Sequence, residues 1–168
     1  MIAAPSSDST NQWESELIRR LPLFGHRNWI VIADAAYPAQ SHPGIETIVA
    51  SADQTDVVRE VMEAVAACRH IRANVYIDLE LEFVNEADSP GITAYRSHLA
   101  ELLQGATVRP LLHDQIIAKL DECARLFRIL IIKTDLTIPY TSVFFELDCG
   151  YWNAESEKRL RSALSASN

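Results

Sequence analysis

Two short runs of consecutive apolar residues indicate the centre of the predicted fold. One run, W-I-V-I-A at residues 29–33, lies between Gly25-His26 and Asp34, and the other, I-L-I-I, lies within residues 128–133. Apolar runs of this length, bounded by turn-forming or polar residues, are typical of strands buried on both faces. The sequence therefore predicts a sheet that is covered on both sides.

In several other segments apolar residues return every three or four positions, which is the spacing of amphipathic helices. Asn11 followed by Glu14 has the form of a capping box and marks the start of the first such segment. The helix candidates are residues 11–21, 56–68, 92–103, 114–127 and 153–164.

Strict alternation of apolar and polar residues predicts a further strand over residues 73–84, with one side facing water or another subunit. Its polar side carries Asp78, Glu80 and Glu82. Three carboxylates suit a cation, but no fourth ligand is apparent, so a solvated edge is the favoured interpretation. Shorter strands are predicted over residues 45–50, 107–112 and 140–147.

Helices that alternate with short strands predict an α/β fold: a three-layer sandwich with a mainly parallel central sheet covered by helices. We expect one domain over residues 11–152. The polar residues 1–10 are expected to form a disordered N-terminal tail, and residues 153–168 a helical C-terminal tail.

The composition narrows the possible classes of function. The chain has 168 residues, a net charge of −8 and no block of consecutive basic residues, which argues against nucleic-acid and membrane-surface partners. Cys68, Cys123 and Cys149 form no C-x-x-C pair, so zinc is not supported and a reduced, cytoplasmic protein is expected. Neither a signal peptide nor a membrane-spanning run is apparent.

The sequence motifs of nucleotide-binding and hydrolytic enzymes are absent. There is no G-x-G-x-x-G, G-x-x-x-x-G-K-[ST], G-x-S-x-G or H-E-x-x-H pattern. With five glycines in the chain, a loop that cradles phosphates is difficult to place. A nucleotide-binding α/β domain is therefore a disfavoured alternative.

Polar residues at the ends of the predicted strands form the remaining candidate site. They are His26, Asp34, His113, Lys133, Thr134, Tyr140 and Ser142. Ligands of open α/β sheets bind beyond strand ends, so these groups could converge on one crevice. They suit proton transfer and hydroxyl recognition better than covalent catalysis. For His26 and Asp34 a purely structural interpretation stays open, in which each residue only caps or starts a turn.

Two segments carry a resemblance to a known family. G-H-R-N-W-I-V-I-A-D-A-A-Y-P at residues 25–38 resembles the opening signature of the D-ribose pyranase / L-fucose mutarotase family. I-I-K-T-D-L-T-I-P-Y-T-S-V-F-F-E-L-D-C-G at residues 131–150 is similar to its closing signature. The resemblance covers roughly residues 21–150, and the middle of this range follows the fucose-mutarotase branch better than the ribose branch.

The resemblance implies a cofactor-free monosaccharide isomerase that binds no metal. Family members form ring-shaped homo-oligomers, commonly decamers, whose sites are completed by a neighbouring subunit. The family's catalytic residues match His26, Asp34 and Tyr140 of this chain. His113 matches a histidine of the ribose branch, and Ser142 stands where the family has a sugar-binding asparagine.

Our hypothesis from the sequence makes His26 the principal proton shuttle, with Asp34 orienting it or binding sugar hydroxyls and Tyr140 supplying a second contact. Lys133, His113, Ser142 and Asn28 are the candidate substrate-binding residues. Asn28 replaces an aspartate of the family signature, and Asp135-Leu136 replaces a Gly-Glu pair. These departures, with Ser142, support an alternative, in which the chain is a catalytically degenerate member that binds a sugar or serves as an oligomeric assembly protein.

Overall fold

The computed structural model describes residues 7–167, with side chains from residue 12 onward. Within this range the strands are β1 Trp29–Ala33, β2 Ile45–Val49, β3 Ile71–Asp78, β4 Val108–Leu111, β5 Ile129–Lys133 and β6 Val143–Cys149. The α-helices are α1 Ser7–Arg20, α2 Gln54–Ala66, α3 Ile92–Leu102, α4 His113–Ala124 and α5 Ala154–Ala166. Short 3₁₀ helices occupy Leu21–Leu23 and Leu79–Glu82.

The six strands form one sheet in the order β2-β5-β1-β6-β3-β4. β1 and β2 both run parallel to β5, and β3 runs parallel to β4. β6 is antiparallel to both of its neighbours, β1 and β3. The prediction of a mainly parallel sheet is therefore confirmed, with β6 as the one reversed strand in the described range.

Helices cover the two faces of this sheet unequally. α1, α2 and α3 pack on one face, where Ile30 and Ile32 of β1 point. α4 packs on the other face, where Trp29 and Val31 point. Burial of all five β1 side chains explains why this strand reads as a continuous apolar run. The structure has the predicted α/β sandwich, and α5 adds no buried residue to it.

The predicted strand over residues 73–84 is only partly correct. β3 begins at Ile71 and ends at Asp78, where its partner β4 also ends, and the chain then turns into the 3₁₀ helix Leu79–Glu82. The expected solvated acidic face is wrong for Asp78, which is 1 % exposed. Residues 79–82 have no neighbouring strand to pair with beyond the end of β4, so the strand stops there. The alternation of apolar and polar residues in the sequence nevertheless continues past this point.

Other element boundaries differ less from the predictions. α1 begins at Ser7, before the expected start at Asn11, and residues 1–6 of the expected tail lie outside the described residues. β6 begins at Val143, which leaves Tyr140 in the preceding loop. No helix within residues 7–167 has the length and apolarity needed to cross a membrane.

Candidate functional site

One edge of the sheet gathers most of the polar residues selected from the sequence. The parallel strands β1, β3, β4 and β5 all end there, and the reversed strand β6 begins there. Asp34 follows β1, Asp78 ends β3, His113 follows β4 and Tyr140 precedes β6. This convergence at the carboxyl ends of strands is the usual position of a ligand site in an α/β sheet.

A cavity of about 720 Å³ opens at this edge. Its polar wall contains Asp34, Gln40, His113, Thr137 and Tyr140. The remaining wall is largely apolar and includes Ile117 and Ile138. The volume is in the usual range of small-molecule sites, and a few convergent polar groups on an apolar wall are typical of them.

Asp34 is fixed by the turn that follows β1. Its Oδ1 accepts a hydrogen bond from the backbone N–H of Ala36 at 2.8 Å, the geometry of an Asx turn. The carboxylate is half-buried and lines the cavity. Asp34 therefore forms the turn after β1 and also lines the cavity, so its functional role stays a prediction.

His113 is held by two carboxylates. Its Nδ1 lies 3.0 Å from Oδ1 of Asp78, and its backbone N–H donates to both carboxylate oxygens of Glu80, at 3.0 and 3.1 Å. Glu80 thus satisfies a backbone donor at the N-terminus of α4, where the helix dipole favours a negative charge. His113 lines the same cavity as Asp34.

Asp78 is the buried member of this pair. Burial raises the pKa of its carboxyl from 3.8 to about 6, and the hydrogen bond from His113 opposes that rise. The nearby carboxylates of Glu80 and Asp34 contribute smaller increases in the same direction. Among the described residues, Oδ2 of Asp78 has no hydrogen-bond partner, so the interaction with His113 is the main stabilisation of its charge.

Tyr140 adopts a backbone conformation that is rare for a tyrosine. Its φ of 57° lies in the left-handed region, which costs a bulky residue roughly 1–2 kcal/mol. The ring meets that of His113 edge to face, with 5.8 Å between centroids, and Tyr140 is 41 % exposed. The surrounding loop must therefore hold Tyr140 in a position that its own backbone preference opposes.

A buried polar network holds this loop. Gln54, the first residue of α2, donates to the backbone carbonyl of Thr141 and to the hydroxyl of Tyr95, and accepts from the hydroxyl of Thr134 at 2.8 Å. The Tyr95 hydroxyl also donates to the Thr141 carbonyl, at 2.6 Å. Gln54 is 1 % exposed, so the network connects α2, α3 and both ends of the loop within the core.

His26 does not lie in this cavity. It is exposed at the opposite edge of the sheet, in a second cavity with Arg72, Asp148 and Trp152. The five-residue strand β1, which lies between it and Asp34, alone spans roughly 16 Å at the rise of a strand. Within one copy of the chain, His26 and Asp34 cannot act on the same small molecule.

The other predicted residues have different positions. Asn28 accepts from Gly25 N–H and donates to the Arg128 carbonyl, so its side chain stabilises the turn before β1. Ser142 is 2 % exposed and does not line the cavity. Lys133, half-buried at the end of β5, also lies outside the cavity lining.

Sequence reasoning missed Asp78 and Gln54. The alternating pattern predicts Asp78 in the middle of a strand, on a solvated face, whereas the structure ends β3 at this residue. Gln54 lies just before the helix predicted over residues 56–68, and nothing in the local pattern distinguishes it from an exposed glutamine. Asp78 contacts His113, which is 35 residues away in the chain, and Gln54 contacts Thr141, which is 87 residues away.

Comparison with known proteins agrees with the family resemblance. The model of the RbsD / FucU transport protein family matches residues 9–149. No curated protein sequence shows significant similarity to the chain.

Three solved structures share the fold. Bacillus subtilis RbsD in complex with D-ribose superposes with a TM-score of 0.56 at 18 % identity, over 88 % of this chain and 98 % of that one. The fucose mutarotase of Streptococcus pneumoniae in complex with L-fucose superposes with a TM-score of 0.51 at 18 % identity, over 79 % of this chain and 91 % of that one. FucU of Bifidobacterium longum superposes with a TM-score of 0.51 at 13 % identity, over 80 % of this chain and 94 % of that one.

Proposed function

The chain belongs to the RbsD / FucU transport protein family, and we propose that it is a monosaccharide mutarotase or pyranase. The observation that most directly supports this proposal is a cavity of about 720 Å³ at the carboxyl edge of the sheet, where Asp34, His113 and Tyr140 converge. Two structures of similar fold were solved with a monosaccharide bound, D-ribose in one and L-fucose in the other. The cavity volume is in the range of sites that bind small molecules, which supports a ligand of this class.

The proposed reaction needs only proton transfer. One group removes the proton of the anomeric hydroxyl while another donates a proton to the ring oxygen, so the ring opens and recloses with either configuration. Imidazole, carboxylate and phenol groups can do this work without a cofactor, and a positioned acid or base contributes about 10²–10⁴-fold. In our proposal His113 and Asp34 exchange protons with the sugar, and Tyr140 contacts it by its hydroxyl.

His26 enters this proposal as a residue of a second copy of the chain. It is exposed, and it lies at the edge of the sheet remote from the cavity. A homo-oligomer in which the His26 edge of one copy meets the Asp34 edge of the next would complete each site. A ring such as a decamer satisfies this head-to-tail requirement, because heterologous contacts close only when the rotation closes.

We also propose a cytoplasmic location.

The test of the proposed function is the rate of anomeric exchange of D-ribose and L-fucose, measured by saturation-transfer NMR with the full chain. We expect at least one of these sugars, or a related monosaccharide, to exchange faster than in buffer alone. Exchange at the buffer rate for the whole panel would refute the enzymatic proposal.

A second candidate is a family member that binds sugar without catalysing exchange. The burial of Ser142 away from the cavity favours it, because the residue at the position of a family sugar ligand cannot contact a molecule there. Isothermal titration calorimetry separates the two candidates. Saturable sugar binding combined with exchange at the buffer rate would establish this second function.

A further inference from the structure

We propose that Asp78 is a positioning residue that fixes His113 in the tautomer with hydrogen on Nδ1, so that Nε2 presents its lone pair to the cavity. This inference deepens the proposed function, and its catalytic consequence rests on that function. The tautomer itself is a property of the free protein. Asp78 does not line the cavity, so its effect on a substrate passes through His113.

The hydrogen bond between Asp78 and His113 decides which ring nitrogen carries the hydrogen. Nδ1 of His113 and Oδ1 of Asp78 are 3.0 Å apart, and an ionised carboxylate can only accept. With burial raising its pKa to about 6, Asp78 is ionised above neutral pH, and Nδ1 must then carry the hydrogen. A neutral imidazole has one N–H, so Nε2 is left as the acceptor.

The difference in burial between the two side chains orients the imidazole ring of His113. The Asp78 side chain is 1 % exposed, whereas the side chain of His113 is 33 % exposed and lines the cavity. Nδ1 therefore faces the protein interior and the opposite ring nitrogen faces outward. The Tyr140 ring packs edge to face on the imidazole and limits its rotation.

The segment that contains Asp78 is itself fixed. Glu80 binds the backbone N–H of His113, so one short segment holds both the ring and the main chain of this residue. Leu81 is 3 % exposed in the core beneath the sheet, and Arg96 donates to the carbonyls of Leu81 and Val84. The carboxylate thus meets the imidazole from a rigid support, which is what orientation of a catalytic base requires.

The consequence for the reaction is a defined proton path. Nε2 with a free lone pair can accept the proton of a sugar hydroxyl, and the imidazolium that forms is stabilised by the Asp78 carboxylate. The proton then returns from Nε2 to the sugar, so no net proton remains on the protein. In the opposite tautomer Nε2 would carry hydrogen and could not accept this proton.

The test is the tautomer of His113 in the sugar-free protein, from two-bond ¹H–¹⁵N correlation spectra of protein labelled with ¹⁵N-histidine. Five histidines are present, and a His113→Gln variant assigns the signal. At about pH 8, where an ordinary imidazole is neutral, we expect a protonated Nδ1 and an unprotonated Nε2. Asp78→Asn should lose this preference, because the amide can also donate to Nδ1.

Glu82→Gln is the matched control, since it removes a neighbouring but exposed carboxylate. The control should retain the wild-type tautomer. A His113 tautomer that is the same in wild type and Asp78→Asn, or a wild-type Nε2–H tautomer, would overturn the inference.

The kinetic arm separates this inference from the proposed function. If the wild type accelerates anomeric exchange, Asp78→Asn should lower kcat by about tenfold or more, with KM changed much less. An unchanged kcat in an active enzyme would contradict the positioning role. If the wild type has no exchange activity, the proposed function fails, and the tautomer measurement still decides whether Asp78 orients His113.

Discussion

His26 and Asp34 flank the same five-residue strand, β1, at opposite edges of the sheet. The sequence signature that contains them therefore cannot form one site within one copy of the chain. Asp34 belongs to the cavity of its own chain, with His113 and Tyr140. If His26 takes part in catalysis, it serves the cavity of a neighbouring copy.

This relationship predicts complementation between inactive variants. His26→Ala and Asp34→Asn should each abolish exchange when expressed alone. Co-expressed in equal amounts, they should form mixed oligomers in which about a quarter of the sites combine an intact His26 with an intact Asp34 from the neighbouring copy. Purified hetero-oligomers should then show about a quarter of the wild-type exchange rate per site.

The matched control combines Asp34→Asn with His113→Gln. Both residues lie in the cavity of one chain, so no arrangement of these copies restores a wild-type site. This pair should remain inactive. Failure of the first pair to recover any activity, in oligomers shown to contain both variants, would exclude a site shared between copies.

The Gln54 network predicts a measurable loss of stability. Gln54→Ala should remove the buried hydrogen bonds that Gln54 makes with the Thr134 hydroxyl, the Thr141 carbonyl and the Tyr95 hydroxyl, and so lower the free energy of unfolding by about 2 kcal/mol. Urea unfolding followed by circular dichroism measures this change. Gln104→Ala, at an exposed glutamine, should change it by less than about 0.5 kcal/mol, and equal effects of both variants would contradict the network's role.

The raised pKa of Asp78 predicts the direction of a pH dependence. The folded state keeps a proton to about pH 6, whereas the unfolded chain releases it near the ordinary value of 3.8. Between these values folding takes up a proton, so this group's contribution to stability falls as the pH rises. Urea unfolding at several pH values should show this decrease in stability for the wild type but not for Asp78→Asn. An identical pH profile for both proteins would contradict it.

The backbone of Tyr140 predicts an order of stability among its variants. At a φ of 57° glycine is unstrained, whereas a β-branched residue is strongly disfavoured. Tyr140→Gly should therefore be more stable than Tyr140→Val by roughly 1–2 kcal/mol in thermal or urea unfolding, although valine is a better strand former. The reverse order would show that the left-handed conformation is not maintained.

The sequence was most informative where burial alone decides the structure. β1 and β5 are recognisable because helices cover both faces of the sheet and every side chain of these runs, apart from Lys133, is buried. The end of β3 could not be recognised, since the apolar alternation continues into the 3₁₀ helix. That boundary depends on the length of β4, which is remote in sequence.

The candidate site was predictable only in part, because some of its contacts join residues that are remote in sequence. Asp34, His113 and Tyr140 each follow or precede a strand, and the direction of the strands brings them to one edge. The position of His26 at the other edge also follows from strand direction, because it precedes β1 rather than following it. The contact between Asp78 and His113 needs a tertiary structure, since no local pattern reports a pairing across 35 residues.

The most direct test of the account is saturation-transfer NMR of monosaccharide anomers with wild type, Asp34→Asn, His113→Gln and a control variant, Asp114→Asn. Asp114 is exposed, adjacent to His113 and outside the cavity lining. We predict exchange well above the buffer rate for wild type and control, with a loss of about 10²-fold or more in the two site variants. Wild-type exchange at the buffer rate, or full activity in both site variants, would contradict the account.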